Sequence, residues 1–196
     1  MNKEQLLQHL INSGFSELVV NAFKNVMRED FISAMFLPNA YDDYPLPLGE
    51  GSTISQPSTI AFMLDLLDLR DKQSFLEIGS GCGYVLALVA EIIKDTKIYG
   101  LEINRDIAET SIKRFIDNPN ITIFSQDGKN GLIDNAPFDR ILISAACSQN
   151  PCHLLEQLNN NGIIVAAVQN SIVKIVKKGD KAVIEEHYGF RFVPLI

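Results

Sequence analysis

The segment that most restricts the fold is a short apolar strand followed at once by a glycine loop and a helix. It reads Phe75-Leu76-Glu77-Ile78, then Gly79-Ser80-Gly81-Cys82-Gly83, then the helical pattern that begins at Tyr84. Glycines let a backbone turn tightly and approach a ligand, and the helix start behind them offers unpaired N–H groups. From Ser74 onward strand and helix patterns alternate, with strands expected over 75–78, 97–101, 121–124, 138–144 and 162–168, and helices over 84–94, 105–116 and 151–158. Alternation of this kind means βαβ crossovers and a mostly parallel sheet covered by helices. The end of the chain departs from it: 171–178, a turn at Gly179-Asp180, then 182–187 and 190–193 alternate as strands and predict an antiparallel edge.

Upstream, Leu6, Leu7, Leu10 and Ile11 recur at helical spacing before Gly14, and a second helix is expected over 17–26. The stretch 36–57 carries Pro38, Pro45, Pro47, Gly49, Gly51 and Pro57 and reads as a long irregular loop, which in a compact domain tends to be functional. Pro57 should open the next helix, with Gln56 or Ser55 as its cap. The whole chain, 1–196, is expected to be one domain: a helical and loop-bearing region over 1–70 and an α/β core over 71–196.

With 17 basic and 24 acidic residues the chain has a formal charge of −7 and no clustered Lys/Arg run, which argues against nucleic acid. The acidic excess gathers in 1–70, where Glu29, Asp30, Asp42, Asp43 and Glu50 suggest a rim that would repel an anionic partner. No apolar stretch approaches the ~20 residues of a membrane span, and no secretory signal is recognisable, so a soluble cytoplasmic protein acting as a monomer is expected. Cys82, Cys147 and Cys152 read as free thiols. Cys147, Cys152 and His153 lack the spacing and the fourth ligand of a zinc site, so no metal is expected.

Three features fall at the ends of successive predicted strands. The glycine loop follows Glu77, Glu102 closes the second strand, where it could accept both hydrogen bonds of a ribose diol, and Gln126-Asp127-Gly128 follows the third, where Asp127 could accept an adenine amine. Position 84 is Tyr84 where a dinucleotide fingerprint needs its third glycine, so S-adenosylmethionine is the better fit and NAD the weaker one.

Thr53-Ile54-Ser55-Gln56-Pro57, Asp127-Gly128-Lys129-Asn130-Gly131, Ala136-Pro137-Phe138-Asp139, Leu155-Glu156-Gln157-Leu158, the Arg28-Glu29-Asp30-Phe31 element and the terminal Arg191-Phe192-Val193-Pro194-Leu195 complete a pattern. With the glycine loop, it resembles the protein-L-isoaspartate O-methyltransferase family over nearly the whole length. The resemblance implies a Rossmann-like methyltransferase fold and methyl transfer from S-adenosylmethionine, leaving S-adenosylhomocysteine, to the carboxylate of isoaspartyl residues in damaged proteins. It implies Ser55 as the active-site hydroxyl and Thr53, Ile54, Gln56 and Val193 on the acceptor side. Glu77, Gly79, Ser80, Gly81, Cys82, Gly83, Glu102, Ile103, Asp127 and Gly128 fall on the cofactor side. The chain departs from the family at Ala167-Val168-Gln169-Asn170-Ser171, where a Pro-Val-Gly turn and glycine-rich loop are usual, and at Cys82, where serine is more common. Rival readings are a related methyltransferase with another acceptor and a non-catalytic relative that keeps cofactor affinity. Because a carboxylate nucleophile is already ionised at neutral pH, the lack of a persuasive catalytic His or Cys is expected.

Overall fold

The computed structural model describes residues 1–49 and 51–190. Two N-terminal helices, α1 (Lys3–Asn12) and α2 (Glu17–Asn25), turn Leu6, Leu10, Val19, Val20, Ala22 and Phe23 inward. Asn2 and Gln5 form a reciprocal capping box on α1, and Ser16 caps α2. Short 3-10 turns at Arg28–Phe31 and Ala34–Asn39 follow. The stretch read as irregular contains an antiparallel hairpin, β1 (Leu46–Gly49) and β2 (Ser52–Ile54), which leads into α3 (Pro57–Leu67).

Gln56 occupies the cap position of α3, but neither its side chain nor that of Ser55 makes the cap hydrogen bond. Asp43 makes it instead: its Oδ1 accepts from the Ser58 N–H at 2.8 Å while its Oδ2 accepts from Gln56 Nε2 at 3.0 Å. A helix start leaves backbone donors unpaired, and a carboxylate brought by the preceding loop satisfies one of them while complementing the helix dipole. Thus the 41–44 turn is pinned to α3 across the hairpin.

The core strands are β3 (Phe75–Ile78), β4 (Ile98–Glu102), β5 (Ile121–Ser125), β6 (Phe138–Cys147), β7 (Leu158–Val168), β8 (Ser171–Lys178) and β9 (Lys181–Tyr188). They form one sheet in the order β5-β4-β3-β6-β7-β8-β9, parallel from β5 to β7 and antiparallel beyond. Helices α4 (Tyr84–Ile92) and α5 (Arg105–Arg114) make the crossovers after β3 and β4. The helix expected over 151–158 is a 3-10 turn, Cys152–Gln157, and the next strand begins at Leu158, so the connection after β6 is shorter than its pattern suggested. The departure at 169–171 is a two-residue hairpin: Val168 pairs Ser171, and Gln169 takes a positive φ of 50°. Of the expected last strand, 191–193 lie outside the described residues.

Strand parity divides the core. Phe75, Leu142, Ile163 and Val165 join the helices in one cluster, and Leu76, Ile78, Ile141, Ile143, Ile164 and Ala166 form another on the opposite face. Glu77 and Ser144 share parity with Phe75 and Leu142, so two polar side chains project into the helical side of the sheet. Among the described residues no helix is long and apolar enough to cross a membrane.

Replacing Asp43 with Ala should remove the α3 cap, costing about 0.5–2 kcal/mol and lowering Tm by roughly 1–8 °C at about 2–4 °C per kcal/mol. Asp43→Asn keeps the acceptor oxygen and should lose less. Thermal denaturation followed by circular dichroism measures both; equal losses would show that the carboxylate charge, not the cap bond, is what matters.

Candidate active site

Sheet order reverses at β3, where the chain continues to β4 and β5 on one side and to β6 and β7 on the other. Open α/β sheets bind ligands at such a switch point, beyond the carboxyl ends of the strands. A cavity of about 510 Å³ with an open mouth lies there. Leu48, Thr53, Ile54 and Ser55 of the hairpin region form one wall, Gly79 to Cys82 with Tyr84 and Val85 another, and Ile60, Met63, Glu77, Leu142 and Ser144 the remainder. The two sequence elements singled out above, separated by more than twenty residues, thus face one space.

The glycine loop doubles back on β4: the Gly79 and Ser80 N–H groups both donate to the Leu101 carbonyl, at 2.8 and 3.0 Å. Gly83 must be glycine on two counts, a φ of 82° at the start of α4 and an added Cβ that would come within 2.5 Å of Phe115. Glu102 is buried; its Oε2 accepts from the Gly81 N–H and its Oε1 from the Asn104 N–H, both at 2.8 Å. A carboxylate offers about four acceptor sites, so capacity for a diol remains after those two bonds.

Glu77 lines the cavity, fully buried, with Oε1 accepting from Ser144 Oγ at 2.6 Å and Oε2 without a partner among the described residues. Burial pushes its carboxyl up to about 8 despite the Ser144 bond, and the neighbouring Glu102 charge adds to the rise. Ser80 Oγ is a second buried orphan. Unpaired polar atoms inside a cavity are costly unless something fills it, so a cationic, hydrogen-bonding ligand such as S-adenosylmethionine suits this end. Cys82 lines the wall with its thiol raised to about 11 by burial, and the buried Tyr84 hydroxyl is raised further, so neither offers an anion.

The remaining expected residues are placed as follows. Ser55 makes no side-chain hydrogen bond among the described residues, while its carbonyl accepts from Arg28 Nη1 at 2.9 Å. Gln56 does not line the cavity; its amide donates to Asp43 and to Ser58 Oγ. Ile103 is 52% exposed just past Glu102, an apolar surface beside the cleft. Asp127 is exposed, its Oδ1 accepting from the Lys129 N–H, and Gly128 lies so close to β3 that a Cβ would meet Ile78 at 2.6 Å. Val193 and Glu50 lie outside the described residues. Of the acidic rim, Asp42 and Asp43 are occupied by local partners, Glu29 accepts from Tyr41, and none of these nor Asp30 lines the cavity. Among the described residues no group of three His, Cys, Asp or Glu side chains could hold a metal.

Two residues were not singled out individually. Gln157 is buried, accepts from the Leu132 N–H and donates to the Asn130 carbonyl, which fixes the loop after Asp127; its only trace in sequence was membership in a motif. Arg28 is fully buried behind Ser55, and only the basic-acidic-Phe pattern hinted at it.

The family model described as protein-L-isoaspartate(D-aspartate) O-methyltransferase matches residues 1–196. A protein-L-isoaspartate O-methyltransferase of Fervidobacterium nodosum is 37% identical, covering 97% of this chain and 99% of its own, and one of Methanothrix thermoacetophila is 38% identical over 100% and 95%. A solved protein-L-isoaspartate O-methyltransferase superposes with a TM-score of 0.89 at 25% identity over 98% of this chain, which spans 65% of that longer one. A Plasmodium falciparum structure solved with S-adenosyl-L-homocysteine gives 0.86 at 24% identity, over 100% and 99%.

Because the folded-state pKa of Glu77 lies above the ordinary carboxyl value, the native protein holds a proton that the unfolded chain releases. Its contribution is therefore most favourable below pH ~4.5 and is lost as pH rises toward about 8. Glu77→Gln should raise the ligand-free Tm little at pH 5 and by about 4 °C or more at pH 8, since each kcal/mol moves Tm by roughly 2–4 °C. Calorimetric scans of both proteins across that range read the difference; a gain that does not grow with pH would place an ionised carboxylate in the cavity lining.

Proposed function

The chain belongs to the protein-L-isoaspartate(D-aspartate) O-methyltransferase family, and from that premise we propose that it methylates the carboxylate of isoaspartyl residues in damaged proteins, using S-adenosylmethionine. The observation that carries this reading is one cavity shared by the hairpin region with Ser55 and by the glycine loop with Glu77, with Glu102 holding that loop from behind. Bound in it, S-adenosylmethionine supplies an electrophilic methyl group on a sulfonium, which an acceptor carboxylate oxygen takes as the carbon–sulfur bond breaks.

On this reading Glu102 accepts from the ribose hydroxyls through its free lone pairs, and the glycine loop, with Gly79, Ser80, Gly81, Cys82 and Gly83, gives the backbone room to approach. Glu77 faces the cationic end of the cofactor and gives up its proton as that charge arrives. Ile103, Asp127 and Gly128 flank the adenine, with Gln157 holding their loop. Across the cleft, Ser55 Oγ donates to one carboxylate oxygen and leaves the other to react, while Thr53 and Ile54 bound the acceptor; Gln56 supports them through Asp43 rather than by contact. Val193 remains a proposed acceptor contact.

No general base is required, because a carboxylate with pKa near 4 is ionised at neutral pH. Leu48, Ile54, Ile60, Met63, Val85 and Leu142 supply apolar walls. In the transition state a negative oxygen and a positive sulfur cancel, so a site that sheds water favours the reaction, and alignment supplies the rest. The three free cysteines suit a reducing cytoplasm, and isoaspartyl proteins or peptides are the partners, met by the chain as a monomer. Residues 1–70 and 71–196 act as one domain, since the helical core cluster draws on both.

With labelled S-adenosylmethionine, an isoaspartyl peptide should gain a base-labile methyl group and its aspartyl twin should not; transfer to neither peptide would remove the repair reading. Ser55→Ala should lower kcat/KM about 10- to 150-fold, the loss of one hydrogen bond to a charged group worth roughly 1.5–3 kcal/mol. Glu102→Ala should weaken S-adenosylhomocysteine binding at least about tenfold by the same scale, read by titration calorimetry, and an unchanged constant would take Glu102 out of the ribose site.

A further inference from the structure

Among the described residues Arg28 is the one arginine with no exposed surface, and no carboxylate of theirs lies within 4.0 Å of it. Its Nη1 donates to the Ser55 carbonyl at 2.9 Å, its Nη2 reaches the Tyr44 carbonyl at 3.4 Å, and its Nε has no acceptor among the described residues. The guanidinium sits 5.5 Å from the centre of the Tyr84 ring, itself part of the cavity wall. Tyr44 precedes β1 and Ser55 follows β2, so one side chain ties together the two ends of the hairpin that forms the acceptor wall.

A guanidinium stays charged in proteins, and a buried charge without an opposite partner is destabilising; an apolar residue of similar volume would commonly serve stability better. The carbonyls, the Tyr84 ring and the field of the Asp43 carboxylate, which lies beyond ion-pair distance, compensate only in part. An anion entering the cavity beside Ser55 would supply the missing charge, and the reaction above brings one, the acceptor carboxylate.

Resting on that functional reading, we propose that Arg28 is the positioning residue of the acceptor site: it fixes the Ser55 peptide so that the hydroxyl faces the cleft, and its only partly compensated charge selects a carboxylate over a neutral group. It acts through Ser55 and through its field, without touching the reacting atoms. A lysine could keep the charge and one carbonyl bond, whereas a methionine of similar length keeps neither.

The test compares wild type, Arg28→Lys and Arg28→Met in the full-length protein. Arg28→Met should bind S-adenosylhomocysteine within about threefold of wild type yet lose at least about 50-fold in kcat/KM for an isoaspartyl peptide, with KM raised, and Arg28→Lys should recover most of that loss. In the S-adenosylhomocysteine complex, wild type should bind the isoaspartyl peptide at least about fivefold more tightly than the same peptide with a neutral carboxamide, and Arg28→Met should bring the ratio near one. Near-wild-type kcat/KM or an intact preference in Arg28→Met overturns the proposal, as does a lysine variant no better than methionine. Should Arg28→Met fail to fold, the wild-type carboxylate preference and the lysine variant still decide, and equal wild-type affinities overturn it. Absence of transfer by wild type would instead sink the repair reading itself.

Discussion

The cleft depends on one carboxylate with two backbone partners. Glu102 ends β4, and by accepting from the Gly81 and Asn104 N–H groups it holds the tip of the glycine loop and the entry to α5 at once. Without such an acceptor two part-buried donors would lose their partners, each costing at most about 1–3 kcal/mol when left unsatisfied. The loop would then rest against β4 through the Leu101 carbonyl alone, and its tip at Gly81 would lose its tie to the strand end. A residue expected to bind ligand is therefore also part of the frame that makes a binding site possible, and its two roles use different lone pairs of the same group.

Around this frame the arginines do work that acidic residues do elsewhere. Arg114 donates from Nη1 to the Cys82 carbonyl and from Nη2 to the Asp30 carbonyl, both at 2.8 Å, with its guanidinium 4.6 Å from the centre of Phe31. It thereby joins the glycine loop to the N-terminal third. Arg28 does the same for the hairpin. In both cases a planar, multi-donor group bridges carbonyls that belong to segments far apart in sequence, a task the single ammonium of lysine performs less well. The N-terminal third is thus joined to the α/β core at the site itself, as well as through the helices.

The parallel core was legible because its signals are local: periodicity, glycines and strand ends such as Glu102 report on themselves. The hairpin over 46–54 was not, since one proline and two glycines in nine residues look like a loop, and its pairing is set by a partner strand and by Arg28 from upstream. The cap position of α3 was legible at Gln56, but the acceptor of its cap hydrogen bond was not, for the same reason. Ser55 and Gln56 are adjacent to the helix, whereas Asp43 reaches it only after the hairpin folds. The 3-10 turn in place of the helix over 151–158 reflects tertiary demand as well: Gln157 must turn inward to pin the 130–132 backbone. Glu77 was visible as a position, but its raised pKa follows from strand parity that buries it with Ser144, which no nearest-neighbour pattern encodes.

Charge illustrates the same limit from the other side. The acidic excess of residues 1–70 suggested a repulsive rim, because net charge counts groups without their partners. In the fold Asp43 caps α3, Asp42 accepts from Asn39 and the chain's amino group, and Glu29 accepts from Tyr41. Bound to fixed donors, these carboxylates act as local fasteners, and their field is partly cancelled by the dipoles they satisfy. Two buried groups at the cleft, Arg28 behind the hairpin and Glu77 beside the glycine loop, have opposite charge tendencies, and among the described residues each keeps a polar atom without a partner. That arrangement suits one anion and one cation brought together, so the polarity of the cleft is set by two buried side chains rather than by the sign of the surface.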